Sequence, residues 1–267
     1  MPVLGQGTWR MGERPRERER EAAALTLGFD LGLTLFDTAE MYGEGGAEEV
    51  LAGVLAGRRE QAYVVSKVYP HNASLKGTIA ACERSLARLK TDRIDLYLLH
   101  WRGQHPLAQT VRAFEQLKAD GKIGAWGVSN FDVDDMTELF GVPDGDRCSV
   151  KQVLYNAANR GIEFDLLPWC RRQKVVVMAY CPLDPGGRLL GSKAIRQVAA
   201  RHDATAGQVA LAWLLAQDGV VAIPKATQEA HVRANRAAVE LKLTKTDLDA
   251  IDAAFPPPRG KQPLSIA

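Results

Sequence analysis

A regular alternation of apolar, strand-like runs with helical patterns predicts an α/β fold, specifically a (β/α)8 TIM barrel. Eight strand–helix units follow one another along the 267 residues, which is the usual size of such a barrel. No linker or low-complexity stretch interrupts the alternation. We therefore expect residues 1–267 to form a single barrel domain.

The predicted strands are short apolar runs, many of them rich in β-branched residues. Runs of this kind are typical of parallel strands that are buried on both faces. The first lies near residues 4–9 (LGQGTW), and the next two are residues 33–37 (LTLFD) and 62–67 (AYVVSK). The remaining strands are predicted at residues 94–100, 122–129, 150–156, 175–180 and 219–224.

Helical patterns separate these runs. The first follows Pro15 and covers residues 16–32, and the second covers residues 47–56. Residues 74–90 form a strong pattern that Ser74 is expected to cap, because apolar residues recur there at helical spacing. Further helices are predicted at residues 106–120, 132–140, 163–173 and 192–217, with another beginning near Gln228.

An open, doubly wound sheet is the main alternative to the barrel. That fold usually carries a glycine-rich phosphate loop between its first strand and first helix. Here the glycines of Gly5–Gly7 are followed by Thr8 and Trp9 rather than by a helix, and residues 43–46 do not fit the pattern either. The barrel is therefore favoured, with residues 254–267 as a loop over one of its faces.

Composition excludes several classes of function. A formal net charge of +2, with acidic and basic residues interleaved, gives no reason to expect a nucleic-acid partner. No apolar stretch approaches the length of a membrane span, and the N-terminal residues do not resemble a signal peptide. The four cysteines form no dense pattern, so we expect reduced thiols and a cytoplasmic location.

Four titratable residues stand at or just beyond the ends of predicted strands. Asp37 ends the second strand with Tyr42 five residues later, Lys67 ends the third, and His100 ends the fourth. Strand ends are where a parallel barrel keeps its active site. The four side chains are therefore predicted to converge on one proton-transfer site.

Charge arguments suggest roles within this set. An ion pair with Asp37 would keep Lys67 charged, and a charged Lys67 beside Tyr42 would lower the phenol pKa. A tyrosine tuned in this way can serve as a general acid or base near neutral pH. His100 could donate a hydrogen bond to a substrate carbonyl, although a lone strand-end histidine is more often structural.

Two other chemistries are less favoured by the sequence. Lys67 could form a Schiff base with a carbonyl substrate, but this needs a depressed amine pKa, which Asp37 opposes. A metal site is not predicted, because the histidines show no HExxH pattern and no cysteine–histidine cluster has ligand spacing.

Eight motifs in register along the chain resemble the aldo-keto reductase family. They are GTW (7–9), FDTAEMYG (36–43), VVSKV (64–68), LLHW (98–101), GVSNF (127–131), QVLYN (152–156), MAYCPL (178–183) and IPKAT (223–227). Within the family the chain looks most similar to short bacterial members that reduce methylglyoxal and other small aldehydes.

The resemblance implies an NAD(P)H-dependent carbonyl reductase. Tyr42 would protonate the carbonyl oxygen while hydride arrives from the cofactor, Lys67 paired with Asp37 would tune Tyr42, and His100 would orient the carbonyl. The two rivals are a cofactor-binding, redox-sensing regulatory subunit and the Schiff-base aldolase that uses Lys67.

Cofactor residues follow from the same resemblance. Ser129, Asn130 and Gln152 would bind the nicotinamide carboxamide, and Tyr180 would stack on its ring. The other expected cofactor contacts are Thr8, Trp9, Cys181, Pro182, Leu183, Ile223, Lys225, His231 and Asn235. Cys181 replaces the serine that is common in the family pattern.

The phosphate end departs most from the family pattern. Lys225, just before a helix N-terminus, would bind phosphate. However, His231 stands where the family often has the arginine that binds the 2′-phosphate, and Ala234 replaces an acidic residue. NADP(H) is favoured over NAD(H), with that preference resting on His231 as a weaker, pH-dependent substitute.

The substrate wall is predicted to consist of Trp9, Met41, Tyr69 and Trp101. The chain after Phe255 is short for the family, which favours an open site and a small-molecule carbonyl substrate. Barrels of this family are often monomers, so we expect a monomer.

Overall fold

A parallel sheet of eight strands forms the centre of the protein. The computed structural model describes residues 1–266. The strands are β1 (Gly5–Gly7), β2 (Leu35–Asp37), β3 (Tyr63–Val68), β4 (Ile94–Leu99), β5 (Ile123–Ser129), β6 (Val150–Leu154), β7 (Val176–Tyr180) and β8 (Val220–Ala222).

These strands pair in sequence order, each parallel to the next. The last strand returns to the first through a parallel bridge between Leu4 and Ala222, and Gly7 N–H donates to the Pro224 carbonyl at 3.0 Å. The predicted (β/α)8 architecture is therefore confirmed, and all eight predicted strands are present with ends shifted by no more than a few residues.

Helices surround the sheet and alternate with its strands for most of the chain. They are α1 (Arg18–Asp30), α2 (Gly46–Leu55), α3 (Leu75–Leu89), α4 (Leu107–Ala119), α5 (Val133–Phe140), α6 (Leu166–Gln173), α7 (Arg188–Gly191), α8 (Lys193–Arg201), α9 (Ala206–Leu215), α10 (Glu229–Ala237) and α11 (Lys245–Ala254). Ser74 caps α3 as predicted, because its side chain accepts a hydrogen bond from Gly77 N–H.

One helix prediction was wrong, and two helices, α7 and α11, were missed. The predicted helix over residues 192–217 is two helices, α8 and α9. Asp203 adopts a φ of 50° between them, and a capping box formed by Thr205 and Gln208 starts α9. The helix α11 was not predicted, although Thr244 and Asp247 begin it with the same device. No helix in residues 1–266 is long and apolar enough to cross a membrane.

Apolar side chains fill two separate layers. A small cluster inside the barrel includes Leu35, Val65, Leu98 and Met178, which alternate with outward residues along their strands. A much larger cluster lies between the strands and the surrounding helices. The interior is thus packed at its centre, and polar side chains are left to its carboxyl end.

Candidate active site

The four titratable residues meet at the carboxyl end of the barrel. Asp37 is the last residue of β2, Lys67 is the next-to-last of β3, and His100 directly follows β4. Tyr42 starts a short 3-10 turn after β2. The register of β2 and β3 places Asp37 and Lys67 close together, because Asp37 pairs with Val65, two residues before Lys67.

The Lys67 amine is the centre of the hydrogen-bond network. It is fully buried, and its Nζ lies 2.7 and 2.8 Å from the two carboxylate oxygens of Asp37. The same Nζ donates to the Thr38 carbonyl at 2.8 Å and to the Tyr42 hydroxyl at 3.2 Å. A buried ammonium needs such partners, and here all of its donors are engaged.

The expected pKa shifts of this pair were wrong in direction. Burial raises the pKa of the Tyr42 phenol well above its usual value, and the negative charge of Asp37 adds to the effect. Burial also lowers the pKa of Lys67, more than the Asp37 carboxylate raises it. Tyr42 is therefore a protonated phenol at neutral pH, as an acid that donates a proton must be.

His100 is neutral. Burial, with the charge of Lys67 as a second cause, lowers the pKa of His100 to about 2. Its ring packs edge-on against Tyr42, with centroids 5.8 Å apart. The Nδ1 atom is buried without a hydrogen-bond partner in residues 1–266, which favours the tautomer with hydrogen on Nε2, since an unpaired lone pair is less costly than an unpaired N–H.

A second polar group connects β5, β6 and β7. Gln152 Nε2 donates to Asp37 Oδ2 at 2.8 Å, so it joins the titratable set directly. Asn130 Nδ2 donates to the His100 carbonyl at 3.2 Å, and its Oδ1 accepts from the Tyr180 hydroxyl at 2.8 Å. Ser129 Oγ is buried and makes no hydrogen bond within residues 1–266.

These residues surround one cavity of about 660 Å³. Asp37, Tyr42 and His100 line it, together with the polar set Ser129, Asn130, Gln152 and Tyr180. Cys181, Pro182, Leu183, Ile223 and Lys225 line a further side, and Trp9, Met41 and Trp101 stand at its wall. Most of the predicted site residues are thus brought together.

Five predicted residues do not line this cavity. Lys67 lies beneath it and reaches it only through Tyr42 and Asp37. Thr8 is buried and donates to the Asp37 carbonyl, and Tyr69 packs at the edge of Trp101 with ring centroids 5.9 Å apart. His231 is exposed on α10, and Asn235 is buried one helical turn further along.

Comparison with known proteins decides the class. The model of the aldo/keto reductase family matches residues 3–255. The chain belongs to the aldo/keto reductase family. It is therefore an oxidoreductase that acts on carbonyl groups.

The similarity extends over more than nine-tenths of the length of several relatives. Methylglyoxal reductase YeaE of Escherichia coli is 51% identical, over 100% of this chain and 95% of that protein. An aldo/keto reductase of Klebsiella pneumoniae, crystallised with NADP and acetate, is 48% identical with a TM-score of 0.98, covering 100% of this chain and 96% of the other. An NADH-specific methylglyoxal reductase of E. coli is 30% identical over 91% of each chain.

The geometry of this aldo/keto reductase argues against the two rival functions, and the comparisons give them no support. A Schiff base needs a free amine, whereas the Lys67 Nζ is fully buried and committed to Asp37, Thr38 and Tyr42. A binding-only subunit would not require a protonated phenol held against a buried ammonium beside a large cavity.

Sequence reasoning missed six residues that line the cavity of the reductase: Gly7, Arg102, Asp184, Pro185, Pro224 and Ile266. Arg102 and Asp184 lie in the loops after β4 and β7, and Ile266 comes from the C-terminal tail. The Arg102 guanidinium is tied to Glu138 at 2.9 Å, so its charge is already paired. Loop position after a barrel strand was the available signal for Arg102 and Asp184, whereas nothing in the tail sequence indicated Ile266.

Proposed function

We propose that this reductase converts small aldehydes and ketones, such as methylglyoxal-like 2-oxoaldehydes, to alcohols with NADPH, and that Tyr42 is the general acid. The observation that carries the proposal is the contact of the Tyr42 hydroxyl with the Lys67 amine at 3.2 Å, at the base of the cavity. The activity of the 51%-identical E. coli relative supports the substrate class.

Tyr42 is suited to donate its proton to a carbonyl oxygen that gains negative charge. Its hydroxyl faces the cavity, and burial keeps it protonated until that moment. The phenolate that remains is then stabilised by Lys67, which Asp37 holds in place. The bound nicotinamide would supply the hydride.

His100 orients the substrate in this proposal. A neutral imidazole with hydrogen on Nε2 donates a hydrogen bond to the carbonyl oxygen. Unlike an imidazolium, it is too weak an acid to transfer its own proton, so Tyr42 remains the proton donor. Its ring lies against Tyr42, and both residues line the cavity, so both donors would reach the same carbonyl oxygen.

The amide end of the cofactor fits the polar set of β5 and β6. The Ser129 hydroxyl is buried and has no hydrogen-bond partner among residues 1–266, so it is suited to bind a polar ligand group. The amide groups of Asn130 and Gln152 suit a carboxamide, which both donates and accepts hydrogen bonds. Tyr180 would present its ring to the nicotinamide, and Thr8 would support the site through Asp37.

The remainder of the cofactor would lie along the far side of the cavity. Residues 181–183 follow β7, and Ile223 and Lys225 follow β8. Lys225 stands near the N-terminus of α10, where backbone N–H groups and the helix dipole favour phosphate.

We infer a preference for NADP(H) over NAD(H). The NADP complex of the 48%-identical Klebsiella protein supports it. The NADH-specific relative at 30% identity is the reason to test it directly. His231, exposed in the first turn of α10, would face the 2′-phosphate, with Asn235 one turn behind it.

The substrate wall is the apolar group at the mouth. Trp9 and Met41 are 43% and 36% exposed, a high exposure for side chains of that size, and Trp101 lies opposite in the loop after β4. Tyr69 supports Trp101 from behind. We also expect the enzyme to act as a monomer in the cytoplasm, which sedimentation and fractionation would test.

One assay tests the proposal. NADPH and NADH absorbance is followed with methylglyoxal for the wild type, Tyr42→Phe and the control Tyr63→Phe. The control removes a phenol at the start of β3, near the opposite end of the barrel. Tyr42→Phe should lose about 10²- to 10⁴-fold in kcat, the usual contribution of a general acid, and Tyr63→Phe should lose little. Near-normal turnover by Tyr42→Phe would contradict the mechanism.

A further inference from the structure

Lys151 is a buried amine for which the mechanism above has no use. It lies in β6 and is fully buried, with 0% of its surface exposed. The next residue, Gln152, points into the barrel and reaches Asp37. Because side chains alternate along a strand, Lys151 points outward, into the layer between the sheet and the helices.

This amine has no carboxylate partner. No ion pair joins Lys151 to an acidic residue among residues 1–266, and the ionisable groups whose charge acts on it are the thiols of Cys170 and Cys148 and the carboxylates of Asp135 and Asp132. Burial lowers the pKa of Lys151 to about 7. An unpaired amine in an apolar layer costs stability, so a compensating role is expected.

Within residues 1–266 the Lys151 amine makes one hydrogen bond, and this bond leads to the cofactor pocket. Its Nζ donates to the Gln152 carbonyl at 2.9 Å, and the same oxygen accepts the Asn130 N–H at 3.0 Å. Asn130 has a φ of 55°, in the left-handed region that costs energy for a residue with a side chain, although less for asparagine than for most others. Its side-chain amide in turn holds Tyr180 and the His100 carbonyl.

We propose that Lys151 is a positioning residue for the cofactor pocket: it fixes the Gln152 carbonyl, and through it the strained backbone of Asn130, in the conformation that binds the nicotinamide carboxamide. The inference rests on the proposed function, since it takes Asn130 and Gln152 as carboxamide-binding residues. It adds that part of their geometry is imposed from the outer face of β6, at a cost to the stability of the fold.

The test compares cofactor affinity with stability. Lys151→Met removes the donor and the buried amine but keeps the volume. We expect its Kd for NADPH, measured by fluorescence quenching, to rise about three- to thirtyfold, the range for residues that act through a packed network. The kcat at saturating NADPH should stay within about threefold, and Tm should be unchanged or higher, because an apolar side chain fits this layer better.

Two further variants distinguish a positioning role of Lys151 from a general loosening of the packing around β6. Lys151→Gln keeps N–H donors without the charge, so its Kd should lie between those of the wild type and Lys151→Met. Val153→Ala disturbs the same outer face of β6 without touching the Gln152 carbonyl, so it should lower Tm and leave Kd unchanged.

Each possible outcome either supports the positioning role of Lys151 or overturns it. Unchanged NADPH affinity in Lys151→Met overturns the inference, and so does a Kd for Val153→Ala that rises as much. Failure of both Lys151→Met and Lys151→Leu to fold would also overturn it, because it would show that the amine stabilises the protein. If the wild type itself does not bind NADPH, it is the proposed function that fails.

Discussion

Replacement of Lys67 by methionine tests the electrostatic support that Lys67 gives to Tyr42. Methionine is similar in length and carries no charge, so the packing of β3 is largely kept. In Lys67→Met the phenolate left by proton donation no longer faces a cation, while the Asp37 carboxylate remains close to it. In this variant the Asp37 carboxylate therefore destabilises the negative charge that develops on Tyr42 during reduction.

The magnitude follows from one distance. The Lys67 Nζ lies 3.2 Å from the Tyr42 hydroxyl oxygen. Two unit charges at that separation interact by about 5 kcal/mol at an effective dielectric constant of about 20. Since about 1.4 kcal/mol changes a rate tenfold, the upper limit is a loss of about 10³- to 10⁴-fold. Water that enters the space left by the amine restores part of the lost stabilisation of the phenolate, so we expect kcat to fall by about a thousandfold.

The assay is the decrease of NADPH absorbance with methylglyoxal at neutral pH, together with urea unfolding. Lys67→Met also leaves Asp37 buried without its cation, which costs about 3–5 kcal/mol of stability. The double variant Asp37→Asn/Lys67→Met removes that penalty and serves as the control. It should regain stability but not rate. A single variant within tenfold of the wild-type kcat, or a double variant with full activity, would refute the electrostatic reasoning.

Three more predictions concern titration and reactivity. Burial raises the pKa of Asp247, but hydrogen bonds, including those from Thr244 and His202, outweigh it and hold the pKa below its usual value. The Asp247 carboxylate therefore stabilises the folded protein fully above the pKa that it has in the unfolded chain, and this stabilisation is lost as the pH falls. Asp247→Asn should lower the free energy of unfolding at pH 7 but not in strong acid. Cys181 is partly exposed at the cavity whereas the other thiols are buried, so iodoacetamide should label it first and NADP⁺ should protect it. Because Tyr42 is protonated far above neutral pH, reduction should be nearly flat from about pH 6 to 9, while alcohol oxidation should rise throughout that range.

The strand positions could be predicted because burial on both faces leaves a clear sequence pattern. β4 (Ile94–Leu99) is apolar except for Asp95, and it was predicted to within one residue. Residues 192–217 misled for the opposite reason: α8 is apolar on one side and α9 is buried along residues 209–214, so periodicity alone did not show the break between them. The capping pattern of Thr205 and Gln208 marked it locally.

Depth of burial is what the sequence did not reveal about the site. The convergence of Asp37, Lys67 and Tyr42 followed from strand ends, but the net pKa shifts depend on how much water reaches each group. Burial outweighs the nearest charge at both Lys67 and Tyr42. The Lys151 contact was equally hidden, because it depends on a backbone carbonyl shared with Asn130.

The hydrogen bonds of the site distinguish two kinds of polar group. Some have all their partners within the protein, and others have none and are suited to bind a ligand. Lys67 has its donors fully engaged, which suits a fixed charge and excludes a nucleophile that must leave its partners to react. Ser129 Oγ is the reverse, since it is buried and has no partner among residues 1–266. A buried hydroxyl left unpaired is costly, and the cost is removed when a polar ligand binds. The carboxyl end of the barrel thus combines a protonated phenol held by a buried amine with a polar surface that has an unpaired hydroxyl, which is the arrangement that the proposed reduction with a bound cofactor requires.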